Sequence, residues 1–167
     1  EAFAQMPEYN ITVFGKQDPD FAEAYKKTLF ETPNIRYAGM VNLGSKEFVS
    51  AANESVGMVF PSCSEGSSGG VITAMHSGLI PLISYESGVD VDGFGIILKE
   101  SSIDEIKKQV VWLSSLPTTM LRDRSLASWR YARENHTRET FTKAYSEFVS
   151  DLIKHSELSR TQETRRA

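Results

Sequence analysis

Cysteine is almost absent, with Cys63 standing alone among 167 residues. A single thiol excludes a disulfide framework and a zinc site built from several thiolates. Long apolar runs are missing too, and none approaches the roughly 20 residues that cross a bilayer. Residues 1–10, EAFAQMPEYN, have neither a basic start nor an apolar core, so they do not read as a signal peptide. Basic charge is not in excess: 18 Lys+Arg face 22 Asp+Glu, a formal net charge of -4. The chain therefore lacks the positive field with which nucleic-acid modules displace counterions.

What is present suits a globular domain. Hydrophobic residues make up 40% and charged residues 24%, which argues against global disorder. The length fits one domain, which would bury roughly two-thirds of its unfolded surface. Phe3 and Met6 are spaced as on the last turn of a helix that Pro7 stops. That opening reads as a start inside a larger protein.

Strand-like and helix-like segments then alternate. Ile11–Phe14 is β-branched and aromatic, ends at Gly15, and reads as a buried strand. Asp18-Pro19-Asp20 opens a helix expected through Leu29. Asn34–Ala38 reads as a second strand, residues 45–52 as a short helix, and Val56–Phe60 as a third strand, apolar on both faces. After a Ser/Gly-rich loop from Pro61 to Gly70, a helix runs to Ser77, with Gly78 as its C-terminal cap. Ile80–Ser84 and Phe94–Leu98 are expected strands four and five. Helices are expected over 102–115, 118–135 and 138–154, the first opened by a Ser102/Glu105 capping box. Residues 159–167 read as a polar tail. Continuous apolar strands between helices predict an α/β fold: a mostly parallel sheet with helices on both faces.

In such sheets ligands bind beyond the carboxyl ends of the strands. The loop Pro61-Ser62-Cys63-Ser64-Glu65-Gly66-Ser67-Ser68-Gly69-Gly70 is the richest candidate. Glycines allow close backbone approach, and helix-start N–H groups attract phosphate. Ser67 and Ser68 suit either capping or hydroxyl donation to an anion. The competing reading is a glycine-rich turn that merely starts a core helix. No Gly-Lys-Ser/Thr ends the loop, so it is not a Walker A site. Glu65 would repel phosphate, which suits it to binding hydroxyls, as of a sugar; a solvent-facing loop acid is the alternative.

Residues 56–84, VGMVFPSCSEGSSGGVITAMHSGLIPLIS, resemble the nucleotide-sugar-binding lobe of retaining glycosyltransferases of the GT-B fold (glycosyltransferase group 1). The shared elements are an apolar strand, Pro-Ser, Glu65-Gly66, a glycine turn, Ala74-Met75, Gly78, and a strand with Pro81 near its start. Val13-Phe14-Gly15 and Tyr37-Ala38-Gly39-Met40-Val41 resemble flanking elements of the same lobe. The resemblance spans roughly residues 10–155 and implies a Rossmann-like lobe over 1–158 that lacks its first strand and helix.

The resemblance implies that Glu65, as catalytic residue, bonds the transferred sugar. It places the diphosphate at Ser67, Ser68, Gly69 and Gly70, the ribose at Thr73, and the base at Met40 and Val41. Gly15 would border the nucleotide, and Ser87, Gly88 and Val89 align loosely nearby. The donor would be a UDP- or GDP-sugar, with no other cofactor and no metal. Partners would be an acceptor lobe of the same polypeptide and an acceptor glycan, lipid or small molecule. The expected location is cytoplasmic, with membrane association through the acceptor lobe as an option.

The sequence departs from the family twice. Thr73 occupies the position of a second Glu, and the family's Arg/Lys pair is missing, since neither Lys16 nor Lys46 stands there. A non-catalytic binding or interaction module is therefore the competing reading, and a sugar-nucleotide epimerase of two-lobe architecture a third. His76, His136 and His155 read as packing or surface residues, Cys63 as a small packing residue, and Trp112 and Trp129 as helix-packing residues. The pairs Asp18/Asp20 and Asp90/Asp92 read as surface loops.

Overall fold

A computed structural model describes residues 1–164, with side chains through residue 155. The chain has the expected α/β fold, and every strand pairing is parallel. The strands are β1 (Ile11–Phe14), β2 (Ile35–Gly39), β3 (Gly57–Phe60), β4 (Ile80–Ser84) and β5 (Ile96–Leu98). The helices are α1 (Pro19–Ala24), α2 (Lys26–Phe30), α3 (Lys46–Asn53), α4 (Gly69–His76), α5 (Ile103–Ser114), α6 (Thr118–Asn135) and α7 (Arg138–Thr164).

Instead of one sheet there are two, ordered β1-β2 and β3-β4-β5. The helix expected from Asp18 to Leu29 breaks at Tyr25, whose φ of -104° and ψ of 14° leave the helical region. The fifth strand is shorter than expected and starts at Ile96, because Gly95 lies close against Pro81 and Phe94 belongs to the preceding turn. α7 continues past residue 154 to Thr164, so the expected polar tail is helical up to there, while residues 165–167 lie outside the described residues.

The chain forms two compact units, Glu1–Trp129 and Arg130–Ala167. In the first, β4 is the centre: all five of its residues are buried. Ile80, Leu82 and Leu113 form one cluster, packed by Val59, Ile96, Val110, Leu116 and Leu121. Each such side chain contributes about 1.5–3 kcal/mol through burial. α4 follows the β3 loop and buries Val71, Ala74 and Met75. Gly78 ends that helix with a φ of +79°, the left-handed cap expected of it. The Ser128 hydroxyl donates to the Leu79 carbonyl at 2.8 Å, and the Arg124 guanidinium donates to the Gly93 and Phe94 carbonyls at 3.0 and 2.8 Å. Arg124 also lies 5.0 Å from the centre of the Trp112 ring, so Trp112 joins α5 to α6 as expected.

Two strands expected to be buried are not. β1 is half-exposed, with Phe14 exposed, and no residue of β3 is buried. A second cluster, Ala2, Leu98 and Ile106 with Phe3, Val59, Ile103 and Val110, seats the N-terminal turn on β3, β5 and α5. The Asn34 amide ties the same turn to β2, donating to the carbonyls of Phe3, Met6 and Tyr9 at 2.8, 3.0 and 2.7 Å.

In the second unit, Thr137 caps α7, its hydroxyl accepting from the Thr140 amide at 3.1 Å. Phe141 stacks on Tyr145 with ring centroids 5.7 Å apart, and both are exposed. No helix among the described residues is long and apolar enough to cross a membrane.

Candidate functional site

The sequence-selected residues fall into two groups at carboxyl ends of strands. Gly15, Met40 and Val41 follow β1 and β2. Their loops are joined by the Gly15 amide donating to the Gly39 carbonyl at 3.0 Å and the Tyr37 hydroxyl donating to the Gly15 carbonyl at 2.7 Å. Gly15 has a φ of +136°, a backbone that favours glycine. Met40 is 75% exposed and Val41 half-buried.

Glu65, Ser67, Ser68, Gly69, Gly70 and Thr73 follow β3, and the loop after β4 meets them. The Ser84 hydroxyl donates to the Ser62 carbonyl, and the Ser68 amide donates to the Ser87 carbonyl at 3.0 Å. Gly88 adopts a φ of +65°, and a Cβ there would overlap the Gly66 carbonyl oxygen. These contacts press the two loops together and fix the start of α4.

That helix start is distinctive. Asp18 caps α1 through the amides of Asp20 and Phe21, Ser45 caps α3 through Phe48, and Ser102 caps α5 through Glu105. Ser68 occupies the cap position of α4 but is buried and makes no side-chain cap bond, contrary to the capping role open to it in the sequence. The first amide bonded back along α4 is Ile72, to the Ser68 carbonyl at 3.1 Å. The amides of Gly69, Gly70 and Val71 thus stand at the positive end of the helix without a side-chain cap. A Cβ on Gly66 or Gly69 would meet nothing within 4 Å, so the fold itself does not require glycine there.

Glu65 is exposed, and the Ser62 hydroxyl lies 3.5 Å from its Oε1. The Thr73 hydroxyl donates to the Gly69 carbonyl at 2.8 Å, back along its own helix. Cys63 is exposed, which overturns its expected packing role, because it lies in the irregular loop after β3 ends at Phe60. Asp18 serves α1, and Asp90 and Asp92 are exposed. Among the described residues no group of three or more His, Cys, Asp or Glu is placed to hold a metal ion.

Two buried polar groups stand out near these loops, Ser87, which the sequence aligns near the donor, and Gln17, which it does not single out. Ser87 is fully buried, and its Oγ has no hydrogen-bond partner. Gln17, in the loop after β1, has its Nε2 buried without a partner. Both lie in loops at the carboxyl ends of strands, the one signal that could have singled out Gln17.

No known protein family matches the sequence, and no curated protein does. Solved structures match the fold. One is the GtfA/B complex, with a TM-score of 0.66 and 20% identity over 90% of this chain and 31% of that one. Another is WaaG, a glycosyltransferase involved in lipopolysaccharide biosynthesis, with a TM-score of 0.60 and 18% identity over 84% of this chain and 39% of that one. The chain therefore spans about a third of the length of these structures, and at such identities the likeness establishes the Rossmann-like fold.

Proposed function

We infer that this chain is the donor-binding lobe of a glycosyltransferase that moves a sugar from a nucleoside diphosphate sugar to an acceptor hydroxyl, and that the lobe needs the acceptor lobe to do so. The observation that carries the reading is the uncapped start of α4 at the mouth between the β3 and β4 loops. Diphosphate oxygens would accept from the amides of Gly69, Gly70 and Val71, with the hydroxyl of Ser67 alongside. In the transfer, the bond from the anomeric carbon to the diphosphate oxygen breaks and the acceptor oxygen forms a new one. Negative charge collects on the leaving diphosphate oxygen as the bond breaks, and the proton released from the acceptor hydroxyl passes to the departing diphosphate. Fixed N–H donors stabilise that charge without reorganising. Exposed Glu65 suits hydroxyls of the transferred sugar. The whole-enzyme activity, UDP or GDP as carrier, the acceptor lobe and the acceptor belong to this proposal, as does the base contact at Met40 and Val41 beside Gly15.

A second reading, a non-catalytic nucleotide-sugar module, is favoured by Thr73. Its hydroxyl proton is engaged within α4, so it offers the ribose no more than its acceptor side. Calorimetric titration with UDP- and GDP-sugars tests the binding. One of them should bind, Glu65→Ala should weaken it, and UDP or GDP alone should lose less from that change than the sugar form. Absence of binding in the complete polypeptide overturns the donor-site assignment. Binding without transfer to any acceptor favours the second reading.

A further inference from the structure

The sequence holds six tyrosines, and five of them are held by their side chains. The Tyr9 hydroxyl bonds to that of Ser114, and the Tyr37 hydroxyl donates to the Gly15 carbonyl. The rings of Tyr25, Tyr131 and Tyr145 lie against Phe21, His136 and Phe141. Tyr85 has no such partner among the described residues, and at 81% exposure it is the most exposed large hydrophobic residue of them.

A single exposed apolar side chain is ordinary on a protein surface. This one is carried by firmly held backbone. Tyr85 follows β4, whose five residues are buried, and opens the turn Tyr85–Ser87. Its carbonyl accepts from the Gly88 amide at 3.1 Å. Ser87, which ends the turn, is fully buried, and Gly88 lies against the Gly66 carbonyl. A ring held out in water by such a turn is apolar surface that does nothing for the fold.

Its place is beside the candidate site. β3 and β4 pair in parallel with Phe60 beside Ile83. Two residues on, that register sets Tyr85 beside Ser62, and the bond from the Ser84 hydroxyl to the Ser62 carbonyl agrees with it. The Ser62 hydroxyl in turn lies 3.5 Å from Glu65 Oε1. The turn that carries the ring thus adjoins the carboxylate suited to the hydroxyls of the transferred sugar.

We propose, on that reading of Glu65, that Tyr85 is the packing face for the transferred sugar and that this sugar is a pyranose. A pyranose carries hydroxyls around its rim and C–H groups on its faces. The face of an aromatic ring is apolar and partially negative, so it takes such a C–H face. A carboxylate accepts from hydroxyls at the rim. Tyr85 and Glu65 together supply both contacts. An axial hydroxyl pointing at the ring would prevent the packing. Tyr85 therefore selects among sugars, whereas the amides at the start of α4 hold any diphosphate alike.

Titration calorimetry and proton NMR on the complete polypeptide test this, with UDP-glucose, UDP-galactose and GDP-mannose as probes and UDP and GDP as controls. For a sugar nucleotide that binds, Tyr85→Ala should weaken affinity about fivefold to tenfold, and Tyr85→Phe should keep it within about twofold. The bare nucleotide should bind all three proteins alike. The sugar C–H protons should shift upfield on binding to the wild type and lose that shift in Tyr85→Ala. Neither change should move the unfolding midpoint, since the side chain is exposed. Full affinity of Tyr85→Ala overturns the assignment of Tyr85 and leaves the donor site in place. So does an equal loss for sugar nucleotide and bare nucleotide, or a loss that Tyr85→Phe shares. Binding of none of the probes by the wild type overturns the donor site and Tyr85 together.

Discussion

The Ser68 amide donates to the Ser87 carbonyl at 3.0 Å, joining the loop after β3 to the loop after β4 just before α4 begins. Gly88 completes the contact. Its φ of +65° disfavours any side chain, and a Cβ would overlap the Gly66 carbonyl. Gly88→Ala is expected to cost about 2 kcal/mol or more. A urea-unfolding midpoint measures it, and an unchanged midpoint would mean that the loops are not locked together.

Gly69 is the counterpart. Its Cβ would meet nothing within 4 Å, and the residue lies in the first turn of α4. Gly69→Ala should leave stability within about 0.5 kcal/mol. The same methyl would crowd an anion seated on the first amides of α4, so nucleotide-sugar affinity should fall about tenfold, a loss of roughly 1.4 kcal/mol. Calorimetry reads both arms, and full affinity in a stable variant would move the phosphate away from this backbone.

Asn34 holds the N-terminal turn through three carbonyls and is 7% exposed. Asn34→Ala should cost about 2 kcal/mol, since it removes the donor and leaves partly buried acceptors. Asn34→Asp should cost more at neutral pH, because a carboxylate would face three carbonyl oxygens. That excess should shrink in acid, where the protonated group can donate again. Unfolding midpoints at two pH values separate the variants.

Much of this arrangement was legible because its causes are local. The run Ile80–Ser84, bounded by Gly78 and a polar loop, announced a buried strand, and β4 is the most buried one. The Ser102/Glu105 spacing announced a cap. What was not legible depends on distant partners. Periodicity continues across Tyr25, where the helix breaks and the ring stacks on Phe21 at 4.6 Å. Ser68 has the chemistry of a cap, but its amide is held by Ser87, and its side chain is buried instead. The division of the strands into two sheets is a matter of pairing, which no single strand reveals.

Glu105 forms only half of the expected capping box, because its carboxylate turns to the amides before Ser102 and not to that of Ser102 itself. Beyond the cap bond from its own amide, its carboxylate accepts from the amides of Lys99, Glu100 and Ser101 at 2.8, 2.8 and 2.9 Å. Hydrogen bonds from Lys99 and Glu100 lead in holding its pKa below the ordinary 4.5. The folded form thus favours the carboxylate, so its stabilisation is present above the ordinary value and is lost as pH falls through the lowered one. Glu105→Gln should cost about 1 kcal/mol at neutral pH. The difference from wild type should narrow toward about pH 3. A constant difference across that range would contradict the assignment.

Ser87 separates stability from binding. Its hydroxyl is buried and without a partner, so it is desolvated with no compensating bond. Ser87→Ala should leave the unliganded protein unchanged or more stable by up to about 1 kcal/mol. If the hydroxyl instead finds its partner in a bound nucleotide sugar, the same change should weaken binding about tenfold. A buried group that costs stability while empty and gains a partner when the ligand arrives is expected of a binding site. Opposite signs in melting and titration would therefore place Ser87 in the donor site. Unchanged affinity would leave it a packing residue of the loop that Gly88 seals.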